Sequence, residues 1–263
     1  ATPDSVDIDS IPAFVADVAQ RQRLLLAGGR HEVSFPREGG MVFRSDNLPL
    51  HENGLTLTAW DDDQCLLKKT YYSVGGGFIV EEQQFGQSAL ETVEVPYAFH
   101  SAKELLSHCH TTGLSVSGLV LKNELALHSR DDISHYFAAV WQTMQACIDR
   151  GLNTEGVLPG PLRVPRRAAA LRRLLVSGSK NSTDPMNVID WANMFALAVN
   201  EENAAGGRVV TAPTNGPCGI IPAVPSYYDQ FISPVHNEVS LRYFLASGAV
   251  GILYKMNASI SGA

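Results

Sequence analysis

The sequence is short of charge. Asp, Glu, Lys and Arg make up 18% of 263 residues, against 45% hydrophobic. A chain with so few charges keeps much of itself in interiors or interfaces. It lacks any stretch rich enough in Lys and Arg to bind nucleic acid by charge, and its formal net charge is −7. It lacks an apolar run long enough to span a bilayer, and no signal-peptide pattern opens it. Its four cysteines, Cys65, Cys109, Cys147 and Cys218, show no CxxC pair. Scattered free thiols point to a reducing compartment, so the cytoplasm is the expected location. A serine nucleophile elbow, a Walker loop, a dinucleotide fingerprint and an EF-hand are all missing.

What is present divides the chain in two. Residues 10–27 carry a helical pattern, with Ser10 as cap, Pro12 in the first turn, and Gly28-Gly29 closing it. Residues 31–35, 41–44, 55–60, 66–74 and 78–82 are short runs rich in Val, Phe, Thr and Tyr. Gly39-Gly40, Asn53-Gly54, Asp61–Asp63 and Gly75–Gly77 separate them, so antiparallel strands with tight turns are expected. From residue 100 the strand signal stops. Helical periodicity runs over 101–110, 115–128, 131–150, 166–177, 187–205, 217–231 and 238–256. Asp184-Pro185 is a helix-start signal, and the prolines between Leu158 and Pro165 imply an extended connector. Met194–Val199 and Phe244–Tyr254 are apolar nearly all round, the mark of central helices. The expected fold is an α+β N-terminal domain (antiparallel strands plus helix) over 1–96, then an all-α helical domain over 100–263, both incomplete.

Four segments invite a chemical reading. Between the sixth and seventh helical stretches, Thr214-Asn215-Gly216 precedes Pro217, which suits a first helical position. Backbone N–H groups and side-chain donors at a helix start suit a small anion such as a carboxylate; a capped turn without ligand fits equally. Asn200-Glu201-Glu202-Asn203 ends the preceding apolar helix, either as an exposed last turn or as a polar cluster facing a cavity. Lys180, among small residues, and Gly75–Gly77 suggest the Schiff-base lysine and phosphate loop of a pyridoxal phosphate enzyme, a reading that the order of the two along the chain opposes. His108-Cys109-His110 cannot converge on one ion, because adjacent helical positions diverge, so a packed Cys between two exposed His is expected. The basic cluster Arg163–Arg173 reads as the solvated or subunit-facing side of a helix.

Thr211-Ala212-Pro213-Thr214-Asn215-Gly216, Tyr71–Phe78, Asn153–Gly160 and Lys255–Ala263 together resemble, in order, the motifs of the bacterial iron–sulfur L-serine dehydratases. The resemblance implies β-elimination of L-serine to pyruvate and ammonia, with a [4Fe–4S] cluster as Lewis acid. It implies that the three cluster cysteines follow Ala263 and that further motifs precede residue 1. This chain would then be a central fragment, inactive alone, and Cys218 would lie outside the ligand set. Substrate-binding residues carried over are Thr214, Asn215 and Gly216, with Lys180, Asn200, Glu202 and Asn257 as weaker candidates. The N-terminal portion resembles the domain used for allosteric serine binding. A non-catalytic fragment that binds serine or a small carboxylate is the alternative, and low charge with apolar helices favours a homodimer. Pro217 and Pro225 depart from the family pattern, and Pro225 is expected to cost its helix a backbone bond.

Overall fold

A computed structural model describes residues 3–74, 78–86, 94–178, 186–211 and 214–257. The helix-start signal at Asp184-Pro185 falls outside them. The chain separates into two compact units, Ala1–Tyr72 and Ser73–Ala263.

In the first unit, helix α1 (Ile11–Arg21) is shorter than its periodicity suggests. Gln22 adopts a left-handed conformation, with φ 52°, and its N–H still bonds to Val18 O. That ends the helix, so Leu24 and Leu25 belong instead to strand β1 (Arg23–Leu26). β1 pairs antiparallel with β2 (His31–Ser34), and Leu26 faces His31 across the turn. Gly28 and Gly29, expected to cap the helix, form this turn at φ 68° and 86°, values that a side chain would strain. Strands β3 (Gly54–Asp61) and β4 (Gln64–Ser73) make the longer hairpin. They turn at Asp62, also left-handed, and slip register once, between Ala59 and Trp60. Met41–Arg44 is not a strand. Tyr72 and Thr70 are this unit's buried side chains among the described residues. At the hairpin base Gly54 faces Tyr72, and any side chain there would run into Leu48 and the Tyr72 ring.

The second unit opens with a short strand, β5 (Ile79–Glu81), and is otherwise helical. Helices α2 (Ala102–Thr112), α3 (Val116–Glu124) and α4 (Arg130–Asn153) each begin at a serine. Ser101, Ser115 and Ser129 accept from the N–H groups of Glu104, Gly118 and Asp132, which meets one orphan donor per helix. The Glu104 carboxylate in turn accepts from the His100 backbone N–H, which holds its carboxyl below the ordinary range. Helices α5 (Ala168–Val176), α6 (Asn187–Ala205), α7 (Ile220–Phe231) and α8 (Asn237–Asn257) follow. The N-terminal strands with a helix and the helical remainder match the expected α+β and all-α classes.

Two of these helices are central, as their all-round apolarity predicts. α6 packs against α4, α5 and α7, while α8 packs against α3 and α4. One core gathers Cys147, Ile148, Met194, Phe195, Ala198 and Val199; another gathers Leu119, Ile133, Leu241 and Leu245. Close approach is made at glycines. A methyl on Gly151 of α4 would overlap the Ala198 carbonyl of α6, and one on Gly219 would overlap that of Ala196. Pro225 lies inside α7 and supplies no N–H to Ile221 O, its partner one turn back. Tyr243 of α8 donates its hydroxyl to that carbonyl at 3.0 Å, replacing the lost bond across the helix interface. His108 bonds to Ala98 O and meets Tyr97 edge-on, Cys109 packs into the second core, and His110 is exposed.

Candidate functional site

The site grows from the end of α6. Gly206 takes φ 81° and stops the helix, and the N–H of Gly207 bonds to Glu202 O at 2.7 Å. The chain then runs through Thr211, whose hydroxyl donates to Thr214 O at 2.6 Å. Cys218 N–H closes a turn on Asn215 O, and Ile220 N–H a second one on Pro217 O. α7 therefore starts at Ile220. Pro217 stands in the turn before the helix rather than at its first position, because these two turns consume the residues in between.

The last turn of α6 is a buried polar cluster. Glu201 is 4% exposed and Glu202 1%. The Glu201 carboxylate accepts from the backbone N–H of Arg167 at 2.6 Å and of Ala168 at 3.3 Å. It thereby caps α5, where no side chain of Arg167 does so. Two carboxylates at a helix C-terminus oppose the macrodipole. Glu201 escapes this by facing the positive end of α5. Glu202 is neutralised by Arg150 Nε at 3.0 Å and Arg166 Nη1 at 2.7 Å. Arg166 itself is nearly buried, and its segment is held by a small hairpin in which Leu158 N–H bonds to Val164 O and Arg166 N–H to Gly156 O. The connector between α4 and α5 is thus folded back on itself, not extended. The Arg163–Arg173 cluster is divided accordingly. Arg166 turns inward, while Arg172 reaches Asn153 and Arg173 pairs with Glu155 at the surface.

Of the residues picked from sequence, the structure gathers five around this turn. Asn200 Oδ1 accepts from the Cys218 thiol at 3.4 Å, Asn215 Nδ2 donates to Asn203 Oδ1 at 3.1 Å, and Glu202 holds its arginines. Thr214 Oγ1 is buried without a hydrogen-bond partner among the described residues. Gly216 is exposed beside it. Asn257 is elsewhere: its amide donates to Leu253 O and His100 O, at the end of α8. Lys180 and Gly75–Gly77 lie outside the described residues. Sequence reasoning did not single out Arg150, Arg166 or the capping role of Glu201. The signal was a pair of acids ending an apolar helix, which requires cations or free N–H groups nearby.

The donor set does not fit an iron–sulfur cluster. Among the described residues no three His, Cys, Asp or Glu side chains converge. Cys65 is exposed, and Cys147 and Cys218 are buried in the helical core. Burial pushes the Cys147 thiol up to about 12 and raises that of Cys218, whereas a cluster ligand must be a thiolate.

Comparison with known proteins decides the family. A model of the serine dehydratase alpha chain matches residues 111–263, and one of the serine dehydratase beta chain matches residues 1–84. The chain belongs to the serine dehydratase family. It is 69% identical over 261 residues to L-serine dehydratase 1 of Escherichia coli (strain K12), covering 99% of this chain and 58% of that protein. L-serine dehydratase of Haemophilus influenzae is 56% identical, with the same two coverages of 99% and 58%. That of Streptomyces coelicolor is 46% identical over 100% of this chain and 58% of its own length. This serine dehydratase chain thus spans a little over half the length of the curated relatives it matches. Among its described residues, no helix is long and apolar enough to cross a membrane.

Proposed function

We propose that the Thr214-Asn215-Gly216 loop binds the carboxylate of L-serine, for an enzyme that eliminates water from serine. The observation that carries this is Thr214 Oγ1, a buried hydroxyl without a partner among the described residues, next to the turns that open α7. A buried hydroxyl with nothing to bond costs about 1–3 kcal/mol, a cost that a bound carboxylate oxygen would relieve. The positive end of α7 favours the same charge.

In the proposed reaction serine loses its α proton and its hydroxyl as water. The aminoacrylate formed is hydrolysed to pyruvate and ammonia. This chain's part is to hold the carboxylate and so orient the Cα–H and Cβ–O bonds. The [4Fe–4S] Lewis acid implied by the resemblance would take its ligands from residues other than Cys65, Cys109, Cys147 and Cys218. Turnover therefore requires polypeptide outside this span, and the chain alone binds without reacting. Residues 1–84 would serve the beta-chain role and 111–263 the alpha-chain role, with the domain boundary near residues 96–100. Scattered free thiols support a cytoplasmic location. The exposed apolar stripe Ile220, Val224, Tyr228 and Phe231 along α7 supports a homodimer.

The test is pyruvate release from L-serine, measured anaerobically in a full-length enzyme that carries this span. Thr214→Val should raise KM at least about tenfold by removing one hydrogen bond to a charged group. An unchanged KM, or no pyruvate from the parent enzyme, would overturn the reading.

A further inference from the structure

Asn200, Glu201, Glu202 and Asn203 are consecutive, so their side chains leave α6 at steps of 100° and cover its whole circumference. Each engages a different partner. Asn200 takes the Cys218 thiol, Glu201 caps α5, Glu202 joins α4 to the α4–α5 hairpin, and Asn203 takes Asn215. A turn restrained on every side is a rigid mount, and two of its four residues, Asn200 and Asn203, bond to the segment that carries the proposed carboxylate loop.

We infer that Asn203 is a positioning residue that sets the amide orientation of Asn215. Asn203 turns Oδ1, an acceptor, toward the loop, and Asn215 meets it with Nδ2 at 3.1 Å. One Nδ2 hydrogen is then used and the second is left for a ligand oxygen. A flipped amide would place Oδ1 where Nδ2 stands, and a carboxylate would meet an acceptor instead of a donor. Backbone turns alone cannot choose between these two orientations, since both fill the same space. The buried ion pairs of Glu202 and the α5 cap of Glu201 hold the turn from which Asn203 acts. The inference rests on the reading of the Thr214–Gly216 loop as a carboxylate site for its benefit to binding, but not for its geometry.

The test has two arms. In the first, the side-chain amide of Asn215 is followed by nitrogen–proton NMR in the 263-residue chain. One Nδ2 proton should be shifted downfield and slowed in exchange. The signature should vanish in Asn203→Leu, which fills the space but cannot accept, and persist in Asn203→Asp, which can. Asn203→Ala takes the place of Leu should the larger side chain disturb the fold. In the second arm, L-serine is titrated calorimetrically. Asn203→Leu should raise Kd about three- to tenfold, the effect of one neutral hydrogen bond. In an Asn215→Ala background the same change should alter Kd by less than about twofold, since a residue acting through Asn215 has nothing left to act on. An Asn215 signal unaffected by Asn203→Leu, or an equal loss of affinity in both backgrounds, would overturn the inference. If the parent chain gives no heat with L-serine, the carboxylate reading fails, and the NMR arm alone still decides whether Asn203 orients Asn215.

Discussion

The β3–β4 hairpin and helix α6 are both long, regular elements, yet they are held in opposite ways. Leu55, Leu57, Trp60, Leu66 and Leu67 of the hairpin are all exposed, and its order comes from the antiparallel ladder, one Thr56–Thr70 hydroxyl contact and the buried Tyr72 at its base. α6 buries Met194, Phe195, Ala198 and Val199, and then buries two carboxylates as well. Backbone pairing tolerates almost any side chain that suits a strand. A packed helix with an internal charge cluster tolerates very few. The difference predicts where this chain is fragile.

The sharpest test of the contrast removes a charge. Glu202→Ala leaves Arg166, with 8% of its side chain exposed, without its counter-ion, and should destabilise the second unit by about 3–5 kcal/mol in chemical denaturation. Next comes a single methyl. Gly151→Ala forces α4 away from the Ala198 carbonyl and should cost about 1–3 kcal/mol in the same measurement. A smaller loss follows from Tyr243→Phe, which leaves the Ile221 carbonyl without the donor that stands in for Pro225, at about 1–2 kcal/mol. The hairpin supplies the other pole. Leu57→Thr, on an exposed strand position, should change stability by less than about 0.5 kcal/mol. A large effect at Leu57 together with a negligible one at Glu202 would reverse the comparison.

Much of the architecture was legible in the sequence, for reasons that particular residues make plain. Serine caps and 3.6-residue periodicity mark α2 to α4, and all-round apolarity marks α6 and α8 as central. Errors fall where tertiary or left-handed geometry decides. Leu24 and Leu25 continue a helical pattern, but Gln22 leaves the helix first, and nothing in its residue type announces this. Gly28-Gly29 suits a helix end and a hairpin turn alike, and pairing with residues 31–34 selects the turn. The candidate site was half visible. Thr214-Asn215-Gly216 stood out as a motif, and Asn200–Asn203 stood out as polar residues ending an apolar helix. Whether that turn was wet or buried depended on Arg150 and Arg166, distant in sequence and joined to it only by folding. The cysteines show the converse: Cys218 lies next to the loop motif, yet its thiol is buried and bonded to Asn200.

The claim on which the rest depends is that this chain's own loop recognises the substrate carboxylate. Calorimetric titration of the 263-residue chain with L-serine, beside Thr214→Val, addresses it directly. The account predicts saturable heat in the parent chain, weakened at least about tenfold in the variant while its ligand-free thermal midpoint does not fall. A flat titration of the parent chain, or identical binding by the variant, would contradict it.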